Sequence, residues 1–338
     1  MRKSGKILVL GGTGAMGVYL VPELVEMGYT VDVVSLDDLH CCDPKLNYIV
    51  GNAMDDAYVE KLLENGYDAC VDFMIYPTQR FEKRASMFLS SLKHYIYLSS
   101  YRVYADKQTP ITESAPRLLD VSTDQRFLQS DDYSLKKARG EDILRQSGKT
   151  NWTAVRPAIT YSKRRFQLIT LEGITFVDRA LNGKKVLVPK EALDKQATMT
   201  WAGDVGKMIA RLVLNKAAYG ECYTVSTSEH HTWGEIAEYY KKLIGLEIVP
   251  VDKETFLKVI QPDPENYSDR WQLDYDRLFD RVVDNSKILK ITGLAQSDLT
   301  RLYDGLKKEL TGLKSDVEWN TGSAQVNGRM DEYFKNHN

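Results

Sequence analysis

Two short stretches of this 338-residue chain combine residue types and spacing that could do chemistry. The first is Gly11-Gly12-Thr13-Gly14-Ala15-Met16-Gly17, which satisfies both Gly12-x-Gly14-x-x-Gly17 and Gly11-x-x-Gly14-x-x-Gly17. Glycine lets a backbone turn tightly and lets a pyrophosphate come close to it. Where a helix leaves such a turn, its free N–H groups and positive dipole end face the phosphates. A strand-to-helix turn without a ligand can use the same glycines, so the flanks decide. The second stretch is Tyr133-Ser134-Leu135-Lys136-Lys137. On a helix, Tyr133 and Lys137 share one face. A phenol with a pKa near 10 is a poor base at neutral pH, and a neighbouring ammonium favours its phenolate. Such a pair can move a proton to or from a substrate hydroxyl. A surface helix carrying an unremarked Tyr–Lys pair is the plain alternative, and the surrounding elements have to argue against it.

Those elements alternate. An apolar run at residues 6–10 enters the glycine stretch, and residues 16–27 leave it with helical spacing: Leu20, Leu24 and Met27 share a face and Gly28 marks the stop. Residues 30–36, 47–50, 68–75, 94–98 and 152–155 read as strands. Residues 55–63, 77–91 and 132–146 read as helices. This rhythm predicts an α/β fold: a Rossmann-type doubly wound parallel sheet with right-handed crossovers over residues 1–160. The strand at 94–98 delivers Ser99 and Ser100 to its C-terminal end, where open α/β sheets bind ligands. Residues 161–313 read as a smaller mixed α/β substrate domain, some segments of which are expected to return to the first sheet. Helices are expected there at 173–181, 204–214, 232–243 and 297–310, with short strands near 186–188 and 222–225. Residues 314–338 are polar and aperiodic, and are expected to form a frayed or loosely docked tail.

A dinucleotide-binding frame predicts a ribose-reading acid about 20 residues beyond the last glycine. Asp37 stands 20 residues after Gly17, with Ser35 at the strand tip and no arginine beside it to hold a 2′-phosphate. NAD is therefore favoured over NADP.

Composition narrows the classes. Apolar residues are 43% and charged residues 27%, which excludes a largely disordered chain. The formal net charge is −2, so there is no global argument for nucleic acid or an anionic membrane surface. No run approaches the roughly 20 apolar residues of a membrane span, and the apolar run at 7–10 is too short for a secretory signal. Cys41, Cys42, Cys70 and Cys222 have no CxxC spacing, which speaks against a zinc site or disulfide framework and for a reducing cytoplasm.

Four motifs together resemble the extended short-chain dehydrogenase/reductases, in their UDP-glucose 4-epimerase-like, NAD-dependent epimerase/dehydratase branch. They are Gly11-x-x-Gly14-x-x-Gly17, Ser99-Ser100-x-x-Val103-Tyr104, Tyr133-x-x-x-Lys137-x-x-x-Glu141, and Arg156-Pro157 followed by Tyr161. By that resemblance Ser100 is the substrate-hydroxyl partner, Tyr133 the acid/base, and Lys137 its modulator and ribose contact. Asn52, in Gly51-Asn52-Ala53, fills the position whose family aspartate reaches the adenine. Pro157 and Ala158 would lie near the nicotinamide, with Ala15, Met16 and Met74 along the cofactor. The family commonly forms homodimers through helices equivalent to 77–91 and 132–146. Parts of the second half, among them Asp178-Arg179, Gly183-Lys184 and Asp284-Asn285-Ser286-Lys287, are more loosely similar to a branch that includes chloroplast stem-loop-binding RNA proteins.

The chain also departs from the family. Asp72-Phe73-Met74-Ile75 stands where His-x-Ala-Ala is common. Tyr101-Arg102 follows Ser100 where the dehydratases carry an Asp-Glu pair, so the acid and base for eliminating water are missing there. The resemblance then implies a hydroxyl-bearing carbon, as in a nucleotide sugar, that gives hydride to the cofactor while Tyr133 takes the proton. Epimerisation and net oxidation both fit, as does reduction of a smaller carbonyl compound. A non-catalytic RNA-binding scaffold on the same frame is the reading from another class, and intact Ser100, Tyr133 and Lys137 count against it.

Three charged clusters have two readings each. Lys163-Arg164-Arg165 could face a substrate phosphate or simply be a solvated loop. By the resemblance, Arg270, Arg277 and Arg281 lie where a diphosphate-binding arginine is common, but they interleave with Asp274, Asp276 and Asp280, which favours mutual pairing. His230-His231 lacks a third nearby metal ligand and reads as a loop before a Thr232-x-x-Glu235 capping box.

Overall fold

In the computed structural model, which describes residues 4–263, 265–311, 313 and 324–337, the β-α-β rhythm becomes one seven-stranded sheet. Its first half runs β1 (Lys6–Leu10), α1 (Gly17–Met27), β2 (Thr30–Ser35), β3 (Leu46–Val50), α2 (Asp56–Leu63), β4 (Ala69–Asp72), α3 (Thr78–Ser91), β5 (His94–Leu98) and β6 (Trp152–Pro157). The helix Tyr133–Gln146 lies between β5 and β6. The seventh strand, Glu221–Val225, comes from the second half and pairs with β6. Across the sheet the order is Glu221–Val225, β6, β5, β4, β1, β2, β3, and every pair is parallel. The direction of winding reverses between β1 and β4, so the crevice for a ligand opens at their C-terminal ends. The central strands are buried on both faces, which is why Ile7, Leu8, Val9 and Leu10 run apolar without alternating.

The second half supplies more than a cap. The helix Ala202–Leu212 buries Val205, Met208, Ile209 and Leu212 in the same core as Leu20 and Leu24 of α1. The helices Gly173–Leu181, Trp233–Ile244, Lys253–Ile260 and Leu302–Leu310 gather round a separate core that includes Phe176, Trp233, Tyr240 and Phe256. A two-stranded parallel pair, Val186–Pro189 with Ile248–Val251, completes this lobe.

Two expectations need correction. The helix expected over 297–310 begins only at Leu302, after a single turn at Gln296–Asp298; between them the Thr300 N–H is tied to Asp204 Oδ2 at 2.6 Å. The tail is not frayed where it is described. Residues 324–337 form a helix that buries Met330 completely, and residues 314–323 lie outside the described residues. Arg329 donates to the carbonyls of Val259 and Ile260, and Asp331 pairs with Arg179 and Lys184 at 2.9 and 2.7 Å. Val326, Met330, Tyr333 and Phe334 form a short apolar stripe on this helix that packs against the second core. Among the described residues, no helix is long and apolar enough to cross a membrane.

Candidate active site

The glycine turn is built as its spacing predicts. Gly11 has φ +73°, in the left-handed region that glycine enters freely. A Cβ on Gly17 would sit 2.3 Å from the Gly12 carbonyl oxygen, so only glycine lets α1 start this close to the turn. The N–H groups of Ala15 and Met16 find no acceptor among the described residues. They stand just before the first turn of α1, where an anion would satisfy them. Met74 lies over the turn, with its sulfur 3.2 Å from where a Gly11 Cβ would be, and its N–H donates to Asp72 Oδ1 at 3.0 Å.

At the tip of β2, Ser35 and Asp37 are brought together. Ser35 Oγ lies 2.7 Å from Thr13 Oγ1 and accepts the Asp37 N–H at 3.0 Å. The Asp37 carboxylate is exposed beside them. Asn52 is also exposed and turns its Oδ1 inward on its own loop, accepting the Met54 N–H at 2.9 Å. Ala53 is buried, and its carbonyl accepts from the Arg84 guanidinium.

A cleft of about 590 Å³ joins this turn to the second motif: Ala15, Met16, Ser100, Tyr133 and Pro157 all line it. Ser100, Tyr133 and the glycine turn therefore meet, as their spacing suggested. Lys137 does not reach the cleft wall. It is buried one turn behind Tyr133, with Nζ 5.6 Å from the phenol ring centroid and 5.1 Å from that of Tyr97. Nζ donates to the Leu98 carbonyl at 2.5 Å. Burial pushes the Lys137 ammonium down to about 8, against the upward pull of buried Asp72. Burial in turn raises Asp72 itself, although Tyr95 and Tyr76 donate to it at 2.8 and 3.2 Å.

What fixes these groups is an ion pair that the motif contained without a stated role. Glu141, two turns beyond Tyr133, is fully buried and binds Arg156 in a fork, at 2.7 and 2.6 Å. Ser99 donates to the same carboxylate at 2.6 Å, and Arg156 continues to the Tyr104 hydroxyl at 2.8 Å. The pair thus bolts the Tyr133–Gln146 helix to the ends of β5 and β6. The favourable contacts outweigh burial and hold the Glu141 carboxyl below its usual range.

The charged clusters resolve unevenly. Arg164, Arg165 and Arg277 all line the cleft, although Arg165 is also paired with Glu172 at 3.0 Å. Asp276 holds both Arg277 and Arg281, whereas Arg270 pairs with Glu254, Asp274 with Lys253 and Asp280 with Lys195. Mutual pairing within the cluster is therefore confined to Asp276. His231 contacts Glu229 and His230 contacts Gln196; among the described residues no group of side chains could hold a metal. Thr232 and Glu235 form the expected capping box. Sequence reasoning passed over Arg102 as a site residue, yet it lines the cleft beside Tyr133. Its signal lay in the Arg that stands where an acid was looked for.

Comparison with known proteins agrees with this architecture. The NAD dependent epimerase/dehydratase family matches residues 7–225. The chain is similar to the chloroplast stem-loop binding protein of 41 kDa b from Arabidopsis thaliana, with 23% identity over 269 residues, covering 74% of this chain and 67% of that protein. It is also similar to a UDP-glucose 4-epimerase of Lactobacillus helveticus, with 31% identity over 135 residues, covering 33% of this chain and 40% of that one. Among solved structures, the fold matches the Bordetella bronchiseptica enzyme WbmG in complex with NAD and UDP, with a TM-score of 0.65 and 17% identity over 91% of this chain and 94% of that one.

Proposed function

The chain belongs to the NAD-dependent epimerase/dehydratase family, and from that premise we propose that it is an NAD-dependent epimerase or dehydrogenase acting on a hydroxyl-bearing carbon of a nucleotide sugar. The observation that carries this reading is the meeting of Ser100, Tyr133 and the glycine turn in one cleft.

The residues present fit a nicotinamide dinucleotide. The free N–H groups of Ala15 and Met16 would hold its pyrophosphate, and Ser35 and Asp37 its adenosine ribose, where the Asp37 carboxylate disfavours a 2′-phosphate. Exposed Leu36 and Val50, at the ends of β2 and β3, would flank the adenine together with Asn52 and Ala53. Met74 and Pro157 would border the nicotinamide end. When bound, the dinucleotide supplies the hydride acceptor and donor.

The protein orients and moves the proton. Ser100 holds the substrate hydroxyl, and Tyr133 removes its proton as the attached carbon is oxidised. The Lys137 ammonium, close behind the phenol ring, stabilises the phenolate that makes this possible. A sugar that turned its opposite face to the cofactor side of the cleft would leave as an epimer, and one released directly would leave oxidised. Arg164 and Arg277 supply cations for a substrate diphosphate in the same cleft. The four free thiols support a reducing compartment, and α3 with the Tyr133–Gln146 helix is the proposed homodimer face.

Mass spectrometry of the small molecules released from purified protein tests the reading. NAD is expected. Retention of RNA, with no nicotinamide dinucleotide bound even after addition, would overturn it.

A further inference from the structure

Arg102 sits between Ser100 and Tyr133 but belongs neither to the proton relay nor to the glycine turn. It lines the cleft described above and a second one of about 660 Å³; the two share Arg102, Tyr133 and Gln272. Its side chain is only 13% exposed, and its guanidinium carbon lies 5.3 Å from the Tyr133 ring centroid. Its Nε is buried with no hydrogen-bond partner among the described residues. The nearest carboxylates, Asp276 and Asp132, stand 3.8 and 3.9 Å away, beyond hydrogen-bond reach. A guanidinium has five N–H donors, and buried ones are ordinarily satisfied.

Asp276 cannot complete the hydrogen bonding of Arg102, because it is already bound by Arg277 and by Arg281, the latter at 2.8 Å.

The geometry points to Arg102 as the receptor for a carboxylate that the substrate carries close to its reacting carbinol, which makes the substrate a sugar acid rather than a neutral sugar. This rests on the reading of Tyr133 given above. A carboxylate matches the planar fork of arginine in two parallel hydrogen bonds. A guanidinium this close to the phenol ring reaches a substituent one or two bonds from the oxygen that the phenol contacts. Arg164 remains available for a phosphate elsewhere in the cleft.

The test uses the full chain loaded with NAD and two pairs of probes that differ only in a carboxylate: UDP-glucuronate against UDP-glucose, and UDP-galacturonate against UDP-galactose. Isothermal titration is expected to show the acid of at least one pair bound about 30-fold or more tighter than its neutral partner. Arg102→Gln should reduce that preference to about threefold or less. Arg102→Lys, which keeps the charge without the fork, should fall between, and serves alone should Arg102→Gln not fold. Tyr133→Phe should keep the preference. Equal binding of acid and neutral sugar, binding of neither, or an Arg102 variant that retains the full preference overturns the assignment while NAD binding stands. Failure to bind NAD overturns instead the reading beneath it.

Discussion

The two walls of the cleft are made in different ways. The cofactor wall is backbone: a left-handed Gly11, a Gly17 that no side chain could replace, and two N–H groups without acceptors. The proposed substrate wall is side chains: Arg102, Arg164, Arg277 and Tyr133 arrive from distant parts of the chain. Backbone requirements restrict residue type at fixed spacing, so they leave a mark in sequence. A wall assembled from remote side chains leaves none until the chain is folded.

The sharpest break of this comparison falls between the walls, at the bolt that joins them. Glu141→Leu strands the buried Arg156 charge and should cost about 3–5 kcal/mol, read as a loss of stability in urea unfolding. Gly17→Val acts on the cofactor wall alone. Its Cβ would meet the Gly12 carbonyl, so NAD affinity measured by titration should collapse, with a stability loss of roughly 3 kcal/mol. Met330→Ala acts on the other lobe, opening a void under the C-terminal helix; roughly 2 kcal/mol should be lost while NAD affinity is unchanged.

The last effect is one of pH. Lys137 has its native pKa lowered from 10.5 to about 8, so between those values the unfolded chain binds the proton and the native one does not. Stability therefore carries a contribution that rises with pH over that window, by up to about 1.4 kcal/mol per pH unit, and is flat for this group below it. Lys137→Met should remove that rise, seen by comparing unfolding of the two proteins at pH 8 and pH 10. An unchanged pH slope would mean that the amine is solvated rather than packed behind Tyr133.

The same contrast explains what the sequence made legible. Strands β1, β2, β5 and Glu221–Val225 were readable because buried parallel strands are runs of apolar residues. The helix Tyr133–Gln146 and its Tyr133–Lys137 pair were readable through spacing. The helix at Lys253–Ile260 and the one at residues 324–337 were not read, although each carries a short apolar stripe: Phe256, Leu257 and Ile260 in the first, Val326, Met330, Tyr333 and Phe334 in the second. Ser35 and Asp37 were both named for one slot, and the fold brings them into contact rather than choosing. Lys137 was expected at the crevice itself; it stands behind the phenol, a depth that spacing along a helix does not encode. Arg102 escaped notice because its partners Asp132 and Asp276 come from segments that meet it only in the fold.

The central claim is that the Tyr133 hydroxyl handles the substrate proton next to a cofactor held by the glycine turn. Tyr133→Phe, assayed for turnover of a nucleotide sugar and for NAD affinity on the same preparation, measures it directly. The account predicts a loss of turnover of about 10²–10⁴-fold with NAD affinity changed less than about threefold. Turnover equal to that of the unaltered protein would contradict it.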